Sequence, residues 1–223
     1  MTAAVLAIDG ALGPFSAALL FTDGTTPPRS AAGRGNDALE AGLGLVHGVL
    51  GDRALADVAR IVVTTGPGSF TGLRIAASYA KSLAFAAGLP LVGIGCFEVL
   101  EPETPGASLV VIPSRAGHAN LRLRLADGRR ARFGGPVETI VPLVVARLAA
   151  GAPLLIASGP GAAVAGVLRR LGELGVHVTT ASISAPIALA VAARSLHLQP
   201  LASPHALAVQ YGEGPGSESP PPA

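Results

Sequence analysis

The pattern of apolar and polar positions predicts an α/β protein. In the first hundred residues, short apolar runs bounded by Gly, Pro or Asp indicate buried strands at 4–8, 15–22, 61–65 and 91–94. Apolar residues recurring every three or four positions indicate amphipathic helices at 37–50 and 71–87. Two strands followed by helix, strand, helix and strand favour a mixed sheet with right-handed crossovers.

A second half with similar patterning follows a Pro-rich segment at 101–106, so we expect two subdomains, 1–100 and 101–211. Its predicted strands are 109–112, 119–125, 130–133 and 154–157, and its predicted helices are 137–149, 162–171 and 186–196. The tail, 212–223, consists almost entirely of Gly, Ser, Glu and Pro, and we expect it to be disordered.

Composition narrows the class of protein. Half of the 223 residues are apolar, 13% are charged and the net charge is only +2, which fits a folded chain and does not indicate tight autonomous nucleic-acid binding. The single cysteine, Cys96, allows no intrachain disulfide or Cys zinc cluster, and we expect it to be a small buried hydrophobe. No signal peptide or bilayer-spanning run is apparent, so we expect a cytoplasmic protein without membrane contact.

The most informative segment is Gly66-Pro67-Gly68-Ser69-Phe70-Thr71-Gly72-Leu73-Arg74, which joins a predicted strand to a predicted helix. Such a turn aims backbone N–H groups at an anion, or lets a buried strand turn sharply into a tightly packed helix. Its spacing matches neither a dinucleotide fingerprint nor a P-loop. The weak candidates for an anion or nucleotide site are Asp9, Gly66, Gly68 and Ser69, with Asp9 equally well explained as a turn-capping residue.

Other catalytic arrangements are not favoured. The five histidines include no pair three to five residues apart, so a helical metal site is not expected. Ser69 lies in no G-x-S-x-G elbow, which argues against a hydrolase triad. The densest basic cluster comprises Arg115, Arg122, Arg124, Arg129, Arg130 and Arg132. It is interpreted as a solvated face of a half-buried sheet, with auxiliary contact to nucleic-acid phosphates in a larger assembly as the alternative.

The nonapeptide at 66–74, followed by Ile75-Ala76, resembles the signature of the TsaB family. The segments Leu6-Ala7-Ile8-Asp9, 88–94 and 203–211 resemble the first strand, the exit after the motif and the closing segment of that family. The resemblance implies an actin-like, sugar-kinase-like (ribonuclease H-like) fold of two subdomains with mixed sheets flanked by helices. It also implies a non-catalytic scaffold or activator subunit for threonylcarbamoyl transfer to tRNA. The alternative is a nucleotide-dependent phosphotransferase of the actin-like superfamily.

The resemblance also implies partners. These are a catalytic TsaD-type transferase subunit, a TsaE-type ATPase, tRNA indirectly through the complex, and a second copy of the chain when it is alone; no cofactor is implied. TsaB-like proteins pair through helices of the first subdomain, and the Ala-rich helix at 71–87 permits close helix contact. The expected partner-binding residues are Leu39, Leu43, Val46, Phe70, Arg74, Ala76, Ala77, Ala80 and Lys81.

Overall fold

The computed structural model describes residues 3–33, 41–159, 164–183 and 186–212. Their contacts divide the chain into two compact units. Described residues up to 99, together with 186–211, form the first unit, and described residues from 100 to 183, with residue 212, form the second.

The first unit contains a mixed five-stranded sheet in the order β3-β2-β1-β4-β5. Its strands are β1 (Ala4–Asp9), β2 (Ser16–Phe21), β3 (Arg29–Ala32), β4 (Arg60–Gly66) and β5 (Leu91–Gly95). β1, β2 and β3 are antiparallel neighbours, whereas β4 runs parallel to β1 and to β5.

Helices cover both faces of this sheet. They are α1 (Gly42–Leu50), α2 (Phe70–Ala87) and α6 (Ile187–Arg194), while the short helix α3 (Cys96–Leu100) follows β5 and ends at the unit boundary. α1 and α2 pack on the face that carries Leu6 and Ile8, forming one apolar core. α6 packs on the opposite face, where Ala188 N donates to Ser16 Oγ at 3.3 Å. Every residue of β1 is buried because both of its faces are covered.

The second unit repeats this plan with the sheet order β10-β9-β6-β7-β8. Its strands are β6 (Ser108–Pro113), β7 (His118–Arg124), β8 (Arg130–Pro136), β9 (Leu154–Ser158) and β10 (Val178–Ser182). α4 (Val137–Val145) and α5 (Ala165–Glu173) pack on its apolar face. In each unit three antiparallel strands continue into two parallel ones, which is the duplication of the actin-like fold. The predicted α/β class with two mixed sheets flanked by helices is confirmed.

The division of the chain differs from the predicted one at its second boundary. The sequence pattern assigned everything from 101 to 211 to the second subdomain, but described residues 186–211 belong to the first unit. The physical reason is that β1 and β2 are apolar on both faces, and α1 and α2 can cover only one of them. The other face is covered by α6, which is distant in sequence.

Three short elements were not predicted: β3 and β10 lack a clear apolar pattern, and α3, with 5 residues, is too short for helical spacing to be recognised. β3 is largely exposed at a sheet edge, as are the described side chains of β10. The helix expected at 37–50 is observed from Gly42, and residues 34–40 lie outside the described ranges, as does the predicted disordered tail after 212. No helix within the described ranges combines the length and apolar character needed to span a bilayer.

Candidate functional site

The motif at 66–74 turns the chain sharply from β4 into α2. Gly66 has a φ of 108°, and a Cβ there would overlap the carbonyl oxygen of Gln210, so glycine is required on both counts. The Gly66–Pro67 peptide bond is cis. Ser69 is the N-cap of α2, and its Oγ accepts a hydrogen bond from Gly72 N at 3.2 Å.

The first turn of α2 lies directly against the turn after β1. A Cβ on Gly10 would overlap the carbonyl oxygen of Gly72, and a Cβ on Gly72 would overlap that of Gly10. Gly68 packs equally closely on Ala11, whose carbonyl oxygen accepts from Ser69 N at 3.0 Å. Two backbone donors of the motif, Ser69 N and Gly72 N, are therefore already used inside the protein. This favours the packing interpretation of the motif over an anion-binding loop.

Asp9 acts as a turn cap in the structure. The side chain is fully buried; Oδ1 accepts from Thr64 Oγ1 at 2.7 Å and Ala11 N at 3.0 Å, and Oδ2 accepts from Leu12 N at 3.3 Å. Burial raises the pKa of Asp9 above its ordinary value, although these three hydrogen bonds lower it. A carboxyl group whose oxygens serve its own turn is poorly placed to hold a metal–phosphate complex. In the part of the chain that the structure describes, no group of three His, Cys, Asp or Glu side chains is arranged to hold a metal ion.

Cys96 is fully buried, as predicted. Burial raises the pKa of its thiol well above the ordinary value, and the nearby Asp9 carboxyl raises it further. Because the thiolate is the reactive form, this thiol is inert in the folded protein.

The segment from Leu201 to Tyr211 packs back onto the motif. Leu201 N donates to Leu91 O at 2.8 Å, and Gln210 N donates to Thr65 O at 2.7 Å. Leu207 is buried in the core of the first unit, and the ring of Tyr211 lies 4.8 Å from that of Phe70. Sequence reasoning noted this segment only for its family resemblance, because nothing local in it indicates where it docks.

Several predicted partner-binding residues are not on the surface. Ala76, Ala77, Ala80 and Val46 are buried in the core of the first unit, which corrects their assignment to an exposed helix face. The small side chains do permit close packing, but against the unit's own sheet. Leu39 lies outside the described residues.

The remaining predicted partner-binding residues are accessible. Leu43 of α1 is 50% exposed, Phe70 is 55% exposed, Arg74 is exposed and Lys81 is half-buried. Gly42 lies against the Tyr79 ring, so α1 and α2 are neighbours. The surface formed by these two helices is therefore exposed to solvent at Leu43 and along one side of α2.

We call the accessible side of α2 the outward stripe: Phe70, Arg74, Ser78, Lys81, Ser82 and Phe85. An aromatic ring marks each end, and serines occupy the middle. The Arg74 guanidinium lies 5.3 Å from the Phe70 ring centroid, and the ring centroids of Phe85 and His205 are 6.0 Å apart. Phe85 is 72% exposed and was missed by sequence reasoning, although its spacing of 15 residues from Phe70 places both on one side of a helix.

The arginine-rich hairpin differs from the predicted solvated face. Arg122 is almost fully buried and its Nη2 lies 2.6 Å from Glu101 Oε2. Arg130 donates to the same carboxylate through Nε at 3.1 Å and Nη2 at 2.9 Å. The alternation that put the Leu side chains on the core face was right, but the opposite face is partly covered and neutralised by Glu101, a residue distant in sequence.

Known proteins resemble this chain in sequence and fold. The model of the family described as TsaD, tRNA N6-adenosine threonylcarbamoyltransferase, matches residues 50–161, half of the chain. The chain belongs to this family, in its TsaB branch. TsaB of Bacillus subtilis is 42% identical over 57 residues, which are 25% of each chain.

Two further comparisons cover more of the chain. An uncharacterised protein of Mycobacterium tuberculosis is 32% identical over 54% of this chain and 51% of its own length. The chain thus spans between a quarter and about half of the curated relatives it matches first. A Pseudomonas aeruginosa structure described as similar to the peptidase YeaZ shares the fold, with a TM-score of 0.67, 22% identity and coverage of 94% of this chain and 99% of its own.

The close approach of Gly10 and Gly72 predicts a steric effect of substitution. Gly72→Ala introduces a methyl group against a carbonyl oxygen and should lower the free energy of unfolding by at least about 2 kcal/mol. Gly48→Ala is the matched control, because Gly48 lies in α1 with open space around it and should gain about 0.5–1 kcal/mol. Urea unfolding of both variants measures the difference. Equal effects would show that the two turns are not in tight contact.

Proposed function

We propose that this protein is a non-catalytic partner subunit in the synthesis of threonylcarbamoyladenosine in tRNA. In this role it binds a TsaD-type transferase subunit through α1 and α2, and acts as a scaffold or activator. The proposal draws on membership of the family and on the similarity to Bacillus subtilis TsaB. One structural observation carries the proposal: the backbone donors of the motif are used for internal packing. The surface that remains accessible on the helix after the motif is the outward stripe.

The geometry of the motif supports a structural role for the residues that a nucleotide would need. Ser69 N donates to Ala11, and Gly72 N donates to the Ser69 cap. The Asp9 carboxyl accepts hydrogen bonds from its own turn and from Thr64. The same groups that would hold a phosphate or its metal in a phosphotransferase are thus engaged in joining β1, β4 and α2.

The outward stripe has the features of a protein-binding surface. Aromatic residues are enriched at interfaces, and the two exposed rings lie about 22 Å apart at 1.5 Å of helix rise per residue. Between them Ser78 and Ser82 allow a partner helix to approach closely. Arg74 and Lys81 add positive charge, which suits a partner surface with apolar positions and carboxylates.

Other partners remain part of the same proposal. The TsaE-type ATPase and the tRNA are expected to contact the chain in the assembled complex. A second copy of the chain binds the same helices when the catalytic subunit is absent. An interface of ordinary size would bury about 800 Å² on each partner, which exceeds what the stripe alone offers. Exposed Leu43 on the neighbouring helix α1 adds further apolar area to this surface.

The proposal predicts loss of partner binding when the stripe is altered without disturbing the core. Phe85→Ala should weaken binding of the purified TsaD-type subunit by about 2 kcal/mol, roughly 30-fold, because an exposed ring at an interface is a frequent anchor. Ser78→Trp should block assembly sterically. Calorimetric titration measures both, and thermal melts should show that both variants stay folded.

Ala193→Trp is the matched control, because Ala193 is exposed on α6, on the other face of the sheet. It should bind as tightly as the unaltered protein. Substitution of Ala76, Ala77 or Ala80 is not a test, since a larger side chain there disrupts the core. If folded Phe85→Ala and Ser78→Trp proteins bind normally, the outward stripe is not the interface.

The alternative function, a phosphotransferase, is tested by the affinity of the chain for a nucleotide. If the engaged donors of the motif are unavailable to phosphate, the isolated chain should show no micromolar affinity for ATP with magnesium in calorimetry. Saturable micromolar binding, lost in a Ser69→Ala variant, would instead indicate that the motif opens to hold a nucleotide, and would favour the phosphotransferase.

A further inference from the structure

Four arginines share one face of the second unit's sheet. The register of β7 and β8 places Arg122 opposite Arg132 and Arg124 opposite Arg130. Leu121 and Leu123 alternate with them and point into the apolar core on the other face. Like charges directly opposite each other on neighbouring strands are destabilising, so this face requires compensating negative charge.

Glu101 supplies one negative charge that is shared by three of these arginines. Glu101 lies within 4 Å of three arginines, with Oε2 2.6 Å from Arg122 Nη2, and Oε1 2.9 Å from Arg130 Nη2 and 3.7 Å from Arg124 Nη1. Residues 101–132, the hairpin and the segment leading to it, carry six arginines and three acids, which leaves a net charge of +3. The residues counted are Arg115, Arg122, Arg124, Arg129, Arg130, Arg132, Glu101, Glu103 and Asp127.

Two buried donors lie together on this face. Within the described ranges, Ser108 Oγ and Arg124 Nε are buried and have no hydrogen-bond partner. β6 pairs with β7 so that Ser108 is directly opposite Arg124. Ser108 is only 1% exposed. Buried polar groups in native proteins are normally satisfied, so these two neighbouring donors are placed to donate to a ligand that brings an acceptor.

We propose that this arginine face is a binding site for a phosphate-type oxyanion. Arg124 and Arg130 form its accessible end, with side chains 15% and 38% exposed. Arg124 Nη2 donates to Thr104 O and Arg130 Nη1 to Gly128 O, so the anion would be bound through the remaining N–H donors of the two guanidinium groups. Guanidinium groups bind phosphate oxygens through paired, charge-assisted hydrogen bonds. The anion supplies the negative charge that Glu101 alone does not, and it provides an acceptor beside Ser108.

The site does not depend on the proposed function, because its residues all belong to the second unit and none is in the outward stripe. A free phosphate group and an RNA phosphodiester present the same oxygens, so both are possible sources of the ligand. Hairpin charge alone would attract either one weakly and without a fixed position. A specific binding site differs from such attraction because its binding is saturable and depends on particular arginines rather than on total charge.

Equilibrium dialysis of the full chain with radiolabelled inorganic phosphate, at constant ionic strength set by chloride, tests the proposal. We expect one saturable site per chain. Arg130→Gln should weaken it about tenfold or more, and Ser108→Ala about threefold, since the first removes a charged contact and the second a neutral hydroxyl. Arg129→Gln is the matched control, because it removes the same charge from the exposed hairpin tip, where Arg129 pairs with Asp127. It should change the affinity by less than about twofold.

Competition by a short single-stranded RNA distinguishes the sources. Displacement of labelled phosphate by RNA assigns the site to a phosphodiester, whereas saturable binding that RNA does not displace assigns it to a free phosphate. Thermal melts establish that the variants are folded, and Ser108→Ala preserves the arginine cluster if Arg130→Gln does not fold. Absence of saturable phosphate binding, or equal losses for Arg130→Gln and Arg129→Gln, would overturn the proposal.

Discussion

The backbone of Gly10 lies directly against that of Gly72, and the arrangement of the first unit follows from this contact. Because neither residue has a Cβ, the backbone of the turn after β1 packs directly against the backbone of the first turn of α2. The helix is thereby held close to the sheet, and the residues of α2 buried in the core between them include Ala76 and Ala80. The same proximity lets Ser69 N reach Ala11 O, which fixes the start of α2.

The consequences extend to the surface. The alanine side of α2 packs against the sheet, so the opposite side of the helix is exposed and carries the outward stripe. The contact at the first turn of α2 fixes which side of the helix faces outward. The segment from Leu201 to Tyr211 reinforces the arrangement, since Gln210 N donates to Thr65 O and Tyr211 lies against Phe70. A glycine-rich turn from strand to helix thus positions a protein-binding surface in our account.

Much of the fold was predictable because its elements have local patterns. β1 and β4 are apolar runs bounded by turns, and α2 has helical spacing with Gly88 as its αL C-cap. The features that were not predicted are contacts between residues distant in sequence. The docking of α6 and the salt bridges of Glu101 depend on faces left uncovered by other elements, which no local pattern encodes. At the site, the helix α2 itself was predicted, but the residues selected for its partner-binding face included Ala76, Ala77 and Ala80, which the structure places in the core. Small residues favour close packing with any neighbour, internal or external, so the sequence alone did not distinguish the two.

Site-specific photocrosslinking tests the central claim, that the packed motif presents the outward stripe of α2 to a catalytic subunit. A photoreactive amino acid placed at Ser82 is exposed in the middle of the stripe, and one at Ala193 is exposed on α6. On irradiation with the TsaD-type subunit present, the account predicts a heterodimeric crosslink from position 82 and none from position 193. A crosslink from position 193 with none from position 82, in folded proteins that form the complex, would contradict it.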